Sequence, residues 1–485
     1  MSDPRPWSFF LRLTAHPPPL HLLSVSLPTD PYASSFRIAL AAQTSIAASA
    51  LLASQIYAAR SSLPPPPVHV DARLAAFEFH SEAYCTVNQQ PLPQVWDPLA
   101  GLYPTRDGHV RVHTNFPHHK HALLASLGLP DSAQRPQVAH EISKHDSFVL
   151  EQSVTQLGGC VVALRSLQEW NNHPQAHAVD SLDGPVSLSQ IAHSPPVSWP
   201  TSQISPHKPL SGIRVLDLSR VIAGPVAGRI LAGYGADVLL VNSPNLPTLP
   251  GLDPDTTRGK RSTFLDLDNP SHKQTFMSLL QSADVLLQAY RPGSLQAKGL
   301  SIDNILKHNP NIIIANLSAW GSKGPWSDRR GFDSLVQTAT GFNVDEGQDY
   351  QNFLNSNLSG EQVPKPLPCQ ALDHASGYFL SCGIQQALLQ RAKQGGSWRV
   401  DVSLAETGKW IRQLGRTEPQ DRPWKISNPT LQDAQNEGYI HTLTRSPDNS
   451  TLQYLAHAAK IDHTNIHWQT APSHIGVDDP EWISI

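Results

Sequence analysis

From Ser211 onward, short apolar runs alternate with stretches whose apolar residues recur at helical spacing. IRVLDLS (213–219), ADVLLVN (236–242), STFLDLD (262–268), DVLLQAY (284–290) and NIIIANLS (311–318) read as strands of a buried parallel sheet. Between them, AGPVAGRILAGYG (223–235), HKQTFMSLLQSA (272–283) and IDNILKHNP (302–310) read as helices, the first with Val226, Ile230 and Leu231 in helical register. Strand and helix in regular succession predict βαβ units. The expected fold class is α/β, a Rossmann-like parallel sheet with a second, smaller α+β domain.

ALDHASGYFLSCGIQQALLQRAKQGG (371–396) predicts a helix that begins near Asp373 and stops at Gly395–Gly396. WRVDVSLAE (398–406) fits a strand or a tight entry into another helix. The N-terminal part carries a faint echo of both: TSIAASALLASQIYAAR (44–60) resembles residues 376–391, and VHVDARLAAFEF (68–79) resembles residues 398–409. Asp401 follows Asp373 by 28 residues, and the same step back from Asp71 reaches Gln43, so the first copy lacks that carboxylate. Chance similarity of two apolar helices is the alternative. WDPLAGLYPTRDGHVRVHTNFPHHKHALLASLGL (96–129) predicts a hairpin at Asp107–Gly108 and then a helix. The expected divisions are a partial first-copy helical region (1–94), a small α+β domain (95–185), a linker (186–210), the Rossmann-like domain (211–412) and a C-terminal tail (413–485).

Composition narrows the function classes. Over 485 residues, 39% hydrophobic and 16% charged content is that of a globular protein, and 43 prolines favour long connections. A net charge of −4 provides no basic field for nucleic acid or an anionic membrane. The sequence has no run of 18 apolar residues, so no membrane span is expected. Cys85, Cys160, Cys369 and Cys382 lack zinc-type spacing and read as reduced, buried thiols. The N-terminal stretch lacks a signal-peptide core and the C-terminus lacks a peroxisomal tripeptide, so a cytoplasmic location is expected.

The first strand-to-helix turn, SRVIAGPVAG, is a place where backbone N–H groups attract phosphate, but it lacks the GxGxxG fingerprint of a dinucleotide site. Five ordered blocks here resemble the family III (CaiB/BaiF) CoA-transferases. They are LSGIRVLDLSRVIAGPVAGRILAGYGADVLLV (210–241), GKRSTFLDL (259–267), ADVLLQAYRPGSLQAKGL (283–300), NPNIIIANLSAWGSKGPWSDRRGFD (309–333) and DHASGYFLSCGIQQALLQRAKQGGSWRVDVSLAE (373–406). RDGHVRVHTN (106–115) is also family-like, but in the family that block follows the catalytic half, whereas here it precedes it. The chain thus looks like the second half of one copy fused to the first half of another.

The resemblance implies an acyl-CoA:carboxylate CoA-transferase, with coenzyme A as substrate, no metal, and an acyl-CoA and a small carboxylic acid as partners. Asp373 would be the nucleophile that attacks the thioester and forms covalent aspartyl intermediates. It must be ionised, and a helix N-terminus would help through its N–H groups and dipole. The competing role for Asp373 is a helix N-cap. Carried over by position, CoA contacts would come from Ile222, Ala223, Lys260, Tyr290 and Lys298, with Arg330, Phe332 and Asp333 beside the thioester-bearing arm. For Lys260, Lys298 and Arg330 a solvated surface charge is the plain alternative. A homodimer is expected from the resemblance alone.

Asn242 and Ser243 stand where the family usually has an acidic residue and often an arginine, and the loop to Arg258 is short. His109, His113, His118, His119 and His121 crowd together without an acid or cysteine at metal-site spacing, so a polar hairpin surface is expected there. Trp96, Trp320 and Trp326 are expected to pack. An α-methylacyl-CoA racemase would need a histidine where Phe332 stands, and Phe cannot carry a proton. His374 is expected to point away from Asp373. The remaining rival is a catalytically silent CoA-binding protein.

Overall fold

Seven strands make the central sheet of the computed structural model: β1 (Ser187–Ala192), β2 (Arg214–Leu218), β3 (Asp237–Asn242), β4 (Arg261–Phe264), β5 (Val285–Gln288), β6 (Ile313–Ser318) and β7 (Ser397–Ser403). The structure describes residues 5–26, 30–180, 182, 184–200, 208–354, 363–418, 421, 424–445, 448–468, 471 and 474–483. The spatial order is β4-β3-β2-β5-β6-β7-β1, parallel throughout except for β1, which pairs antiparallel with β7. The five apolar runs between 213 and 318 thus become neighbouring parallel strands, and the fold is α/β as expected. WRVDVSLAE resolves into nearly all of β7 and the start of the Leu404–Gln413 helix, which Ser403 caps by accepting from the Glu406 N–H at 3.2 Å. β1 lies inside the stretch expected to link domains. Its sequence, SLSQIA, is half-exposed throughout and has no apolar run to announce it. Residues 201–207 of that stretch lie outside the described residues.

Three helices position the candidate site: α1 (Ala223–Gly233), α2 (Asp333–Ala339) and α3 (Ala371–Gln394). α3 is buried along most of its length and wedges between α1, the sheet and the Ile38–Ser61 helix. Close approach is what the small residues allow. A Cβ on Gly377 would lie 2.7 Å from the Ala223 carbonyl and from Val226, so α3 reaches α1 only because position 377 is bare.

The Ile38–Ser61 helix is long and apolar enough to cross a membrane, but 83% of its most apolar window is buried inside the fold. It matches α3 in length, 24 residues each, and meets it near both midpoints, where Ser49 Oγ and Ser381 Oγ lie 3.1 Å apart. The following strand, Val68–Val70, pairs parallel with Leu23–Val25 and antiparallel with Ala459–Ile461. Thr451–Leu455 pairs with Thr86–Val87, so the C-terminal stretch folds back onto the N-terminal one.

A smaller antiparallel sheet joins Gly101–Pro104, His109–Val112 and Val161–Ala163. Its turn closes through Thr105 N–H donating to the Gly108 carbonyl at 2.8 Å, around Asp107–Gly108. Val110 and Val112 face a core shared with Leu123, Leu124, Val138 and Val154 from the helices on that side. The period of two then turns Arg111 to the opposite face.

Lys260 anchors the first βα turn from below. Its Nζ, fully buried, donates to Asp217 Oδ2 and to the Pro225 carbonyl, both at 2.8 Å. A Cβ on Gly228 would sit 2.2 Å from that same Asp217 oxygen, so the glycine makes room for the pair. Lys260→Met would strand Asp217 as a buried, unpaired charge. The expected loss is about 3–5 kcal/mol of stability, read by denaturant unfolding.

Candidate active site around Asp373

Asp373 is the third residue of α3, and it is not the cap of that helix. The Asp333 carboxylate, at the start of α2, takes that place: its Oδ2 accepts the Leu372 N–H at 2.8 Å and the Asp373 N–H at 3.0 Å. Gln337 Nε2 donates to the other Asp333 oxygen. The positive end of α3 is therefore already spent on a neighbour. The Asp373 side chain, 7% exposed, makes no hydrogen bond with a described residue. This reverses the expectation that the helix end keeps Asp373 ionised. Burial, then the Asp333 charge and then Glu82, push its pKa well above the usual carboxylate range. Burial also raises Asp333, to about 6, against the pull of its hydrogen bonds. The two carboxyls titrate as a pair, and like charge makes the second ionisation the harder one.

His374, the next residue, is fully buried, and its Nε2 lies 3.1 Å from Glu82 Oε2. Its ring stacks on Phe79 at 5.7 Å. Burial raises the Glu82 pKa, but His374 outweighs it and the net shift is downward. The imidazole thus turns away from Asp373, as expected. The N-terminal segment supplies its partner, 292 residues distant in sequence. No local motif marks Glu82, so sequence reading missed it.

The other sequence-predicted residues fall into three groups. Tyr290 and Lys298 line one cavity of about 200 Å³ with Leu218, Asn242, Ser243 and Leu265. This cavity lies beyond the carboxyl ends of β2, β3, β4 and β5, where the strand order reverses and α/β sheets take their ligands. Lys298 is half-exposed and pairs with Asp268 at 2.6 Å. Ile222 and Ala223, at the start of α1, are buried, and the Ala223 carbonyl faces Gly377 of α3. Lys260 is neither solvated nor open to a ligand, because its amine is committed inside the protein. Its contribution is to the turn that carries Ile222 and Ala223.

Arg330, Phe332 and Asp333 form the third group, where the large sheet meets the small one. His113 lies flat on Phe332, with ring centres 3.9 Å apart. Burial and then Arg291 lower the Arg330 pKa, and its guanidinium makes no hydrogen bond with a described residue. Arg220, from the first βα turn, lies over the Phe116 ring at 4.9 Å. His119 is pushed down to about 3 by burial, then by His118 and by Arg330, Arg220 and Arg291. Three arginines therefore share one field. Arg220 and Arg291 went unremarked in the sequence because each lies in a separate loop. The crowded histidines are a surface only in part: His118 and His121 are exposed and His109 is half-buried, whereas His113 and His119 are buried. Among the described residues, no three His, Cys, Asp or Glu side chains converge as metal donors. Trp320 and Trp326 pack as expected, whereas Trp96 is 39% exposed.

Residues 210–423 match the family model for CoA-transferase family III. The chain is similar to the acetyl-coenzyme A transferase nodX of Hypoxylon pulicicidum, 29% identical over 65% of this chain and 55% of that protein. It is also similar to the probable fatty acyl-CoA transferase Rv3272 of Mycobacterium tuberculosis, 36% identical over 42% of this chain and 52% of the relative. A crystal structure of Rv3272 from the same organism aligns at 34% identity and a TM-score of 0.37, over 44% of this chain and 61% of that one. The chain spans about half the length of the curated relatives it matches. The segment 210–423, which holds Asp333 and Asp373, is thus similar to CoA-transferase family III.

Proposed function

We propose that the protein moves CoA between an acyl-CoA and a carboxylic acid, with Asp373 as the nucleophile. The observation that carries this reading is the division of labour at the start of α3. Asp333 holds the helix N–H groups, which leaves the Asp373 carboxyl without a structural partner inside a family-matched segment. Related proteins include a succinate–glutarate CoA-transferase of Agrobacterium fabrum, 30% identical over 45% of this chain and 60% of that protein. In this reading the adenosine end of CoA occupies the cavity walled by Tyr290, Lys298, Asn242 and Ser243. Arg330 and its arginine neighbours attract the phosphates or the acyl arm.

The chemistry balances in four steps. The Asp373 carboxylate attacks the thioester carbon and expels CoA thiolate, leaving a mixed anhydride. The thiolate attacks the aspartyl carbonyl and releases the donor acid. The acceptor carboxylate attacks the aspartyl thioester, expels the thiolate and forms a second anhydride. The thiolate then takes the new acyl group and frees Asp373. Each step replaces one acyl bond by another of similar energy, so no metal or redox partner is called for. Phe332 carries no proton, which favours transfer over α-proton abstraction. The N-terminal segment reads as a partial first copy that contributes Glu82 and no counterpart of Asp373.

Asp373→Asn is expected to lower CoA transfer at least about 10³-fold, read as exchange of labelled carboxylate into acyl-CoA. Turnover within tenfold of the parent would refute the assignment. In the parent, kcat/KM is expected to rise with pH along a limb above the usual carboxylate value of about 4, because Asp373 must be ionised to attack. Asp333→Asn removes the like charge and is expected to move that limb to lower pH. Stability gives a separate check. A carboxyl with a raised folded pKa favours folding below its unfolded pKa and loses that contribution as pH rises toward the folded value. Asp373→Asn escapes this loss, so its gain in melting temperature over the parent is expected to be larger at pH 8 than at pH 4.5.

A further inference from the structure

The cavity that Tyr290 and Lys298 share combines buried apolar walls with a set of hydrogen-bond acceptors. Leu218, Val241 and Leu265 are buried there beside Tyr290 and Leu295, which suits a flat heterocycle. Asn242, Asn245, Asp266 and Asp268 supply the polar lining, with Lys298 as its one cation. Asn242 is 8% exposed, and its side-chain oxygen is buried without a partner. Asp266 accepts from Asn245 Nδ2 at 2.9 Å on one oxygen and from the Asp268 N–H at 3.0 Å on the other. Each of those oxygens keeps a second lone pair.

Lys298 does not reverse that balance. Its Nζ donates to both oxygens of Asp268, at 2.7 and 2.6 Å, so its charge is already matched. Two aspartates against one lysine leave the lining with an excess of negative charge. Lys273 stands behind, its Nζ donating to the Lys298 carbonyl at 2.6 Å, and takes no part in the lining. The arginines gather past Tyr290: Arg291 lines the next cavity with it, and Tyr290 feels the charge of Arg220. A phosphate monoester beside Asp266 and Asp268 would therefore meet like charge and no free cation. A ribose with both hydroxyls free brings the donors that these acceptors lack.

We infer that this cavity takes the adenosine of the coenzyme through free ribose hydroxyls, and that the 3′-phosphate distinguishing CoA from dephospho-CoA adds nothing to its recognition. A ribose hydroxyl or the adenine amino group supplies the donor that the buried Asn242 oxygen lacks. Asp266 accepts from a ribose hydroxyl, as a carboxylate near a strand end does in dinucleotide sites. The diphosphate runs past Tyr290 toward the arginines, where cations are free of aspartate. This inference rests on the coenzyme reading above and goes beyond it, because that reading holds whichever group the ribose carries.

Calorimetric titration of CoA and of dephospho-CoA into the protein tests this. The two dissociation constants are expected to agree within about threefold. Asp268 is exposed, so substitutions there leave the fold intact. Asp268→Asn frees Lys298 and is expected to tighten CoA relative to dephospho-CoA about threefold. Asp268→Lys adds a second cation and is expected to shift the same ratio about tenfold. Asn242→Leu removes the buried acceptor and is expected to weaken both ligands equally, about fivefold. CoA binding more than about tenfold tighter than dephospho-CoA in the parent, or a ratio that Asp268→Lys does not move, overturns the inference. Binding of neither ligand overturns it together with the coenzyme reading. Equal binding without CoA transfer leaves it in place and counts against Asp373 instead.

Discussion

The carboxylate of Asp333 on the second and third backbone N–H groups of α3 is the contact on which the site depends. A helix N-terminus draws a negative group, and in most helices the residue at its own start provides it. Here the charge comes from another helix, 39 and 40 residues earlier in the chain. That arrangement ties α2 to α3 and leaves Asp373 as a carboxyl with nothing structural to do. It also places two carboxyls in one desolvated pocket, so ionising Asp373 costs more than it would in water. A nucleophile raised in pKa is a stronger one once ionised, and under the proposed function that would link the burial of the pair to acyl transfer.

The rest of the fold serves to hold the helix that carries Asp373 against the first βα turn. Gly377 lets α3 close on α1, and Gly228 lets Asp217 and Lys260 meet beneath the turn that begins α1. The N-terminal helix seals the far side of α3, and the segment after it sends Glu82 to His374. The small sheet then presents its polar face, with Arg111 and His113, to the start of α2. Residues from three separated stretches therefore surround one helix end.

How much of this was readable beforehand depended on whether the signal was local. The parallel strands were legible because burial on both faces leaves a continuous apolar run, as in Val285–Gln288 and Ile313–Ser318. The edge strand β1 was not, because an edge with one neighbour needs no such run. Asp373 stood out as a candidate through its flanking blocks, but its competing role as a cap could be removed only by finding Asp333 in that place. Lys260 shows the opposite failure. Its position in the chain resembles a ligand contact, and its partner across the turn makes it an internal strut. Glu82, Arg220 and Arg291 owe their meaning to neighbours distant in sequence, and spacing along the chain carries no trace of that.

The central claim is that Asp373 becomes covalently acylated. Incubating the protein with an acyl-CoA, quenching with hydroxylamine and mapping peptides by mass spectrometry tests it most directly, because hydroxylamine converts an activated aspartyl carbonyl into a stable hydroxamate. The account predicts that modification on Asp373 alone, dependent on acyl-CoA and absent when Asn replaces it. An unmodified Asp373 across several acyl-CoAs that the protein binds would contradict the account and leave a protein that holds CoA without chemistry.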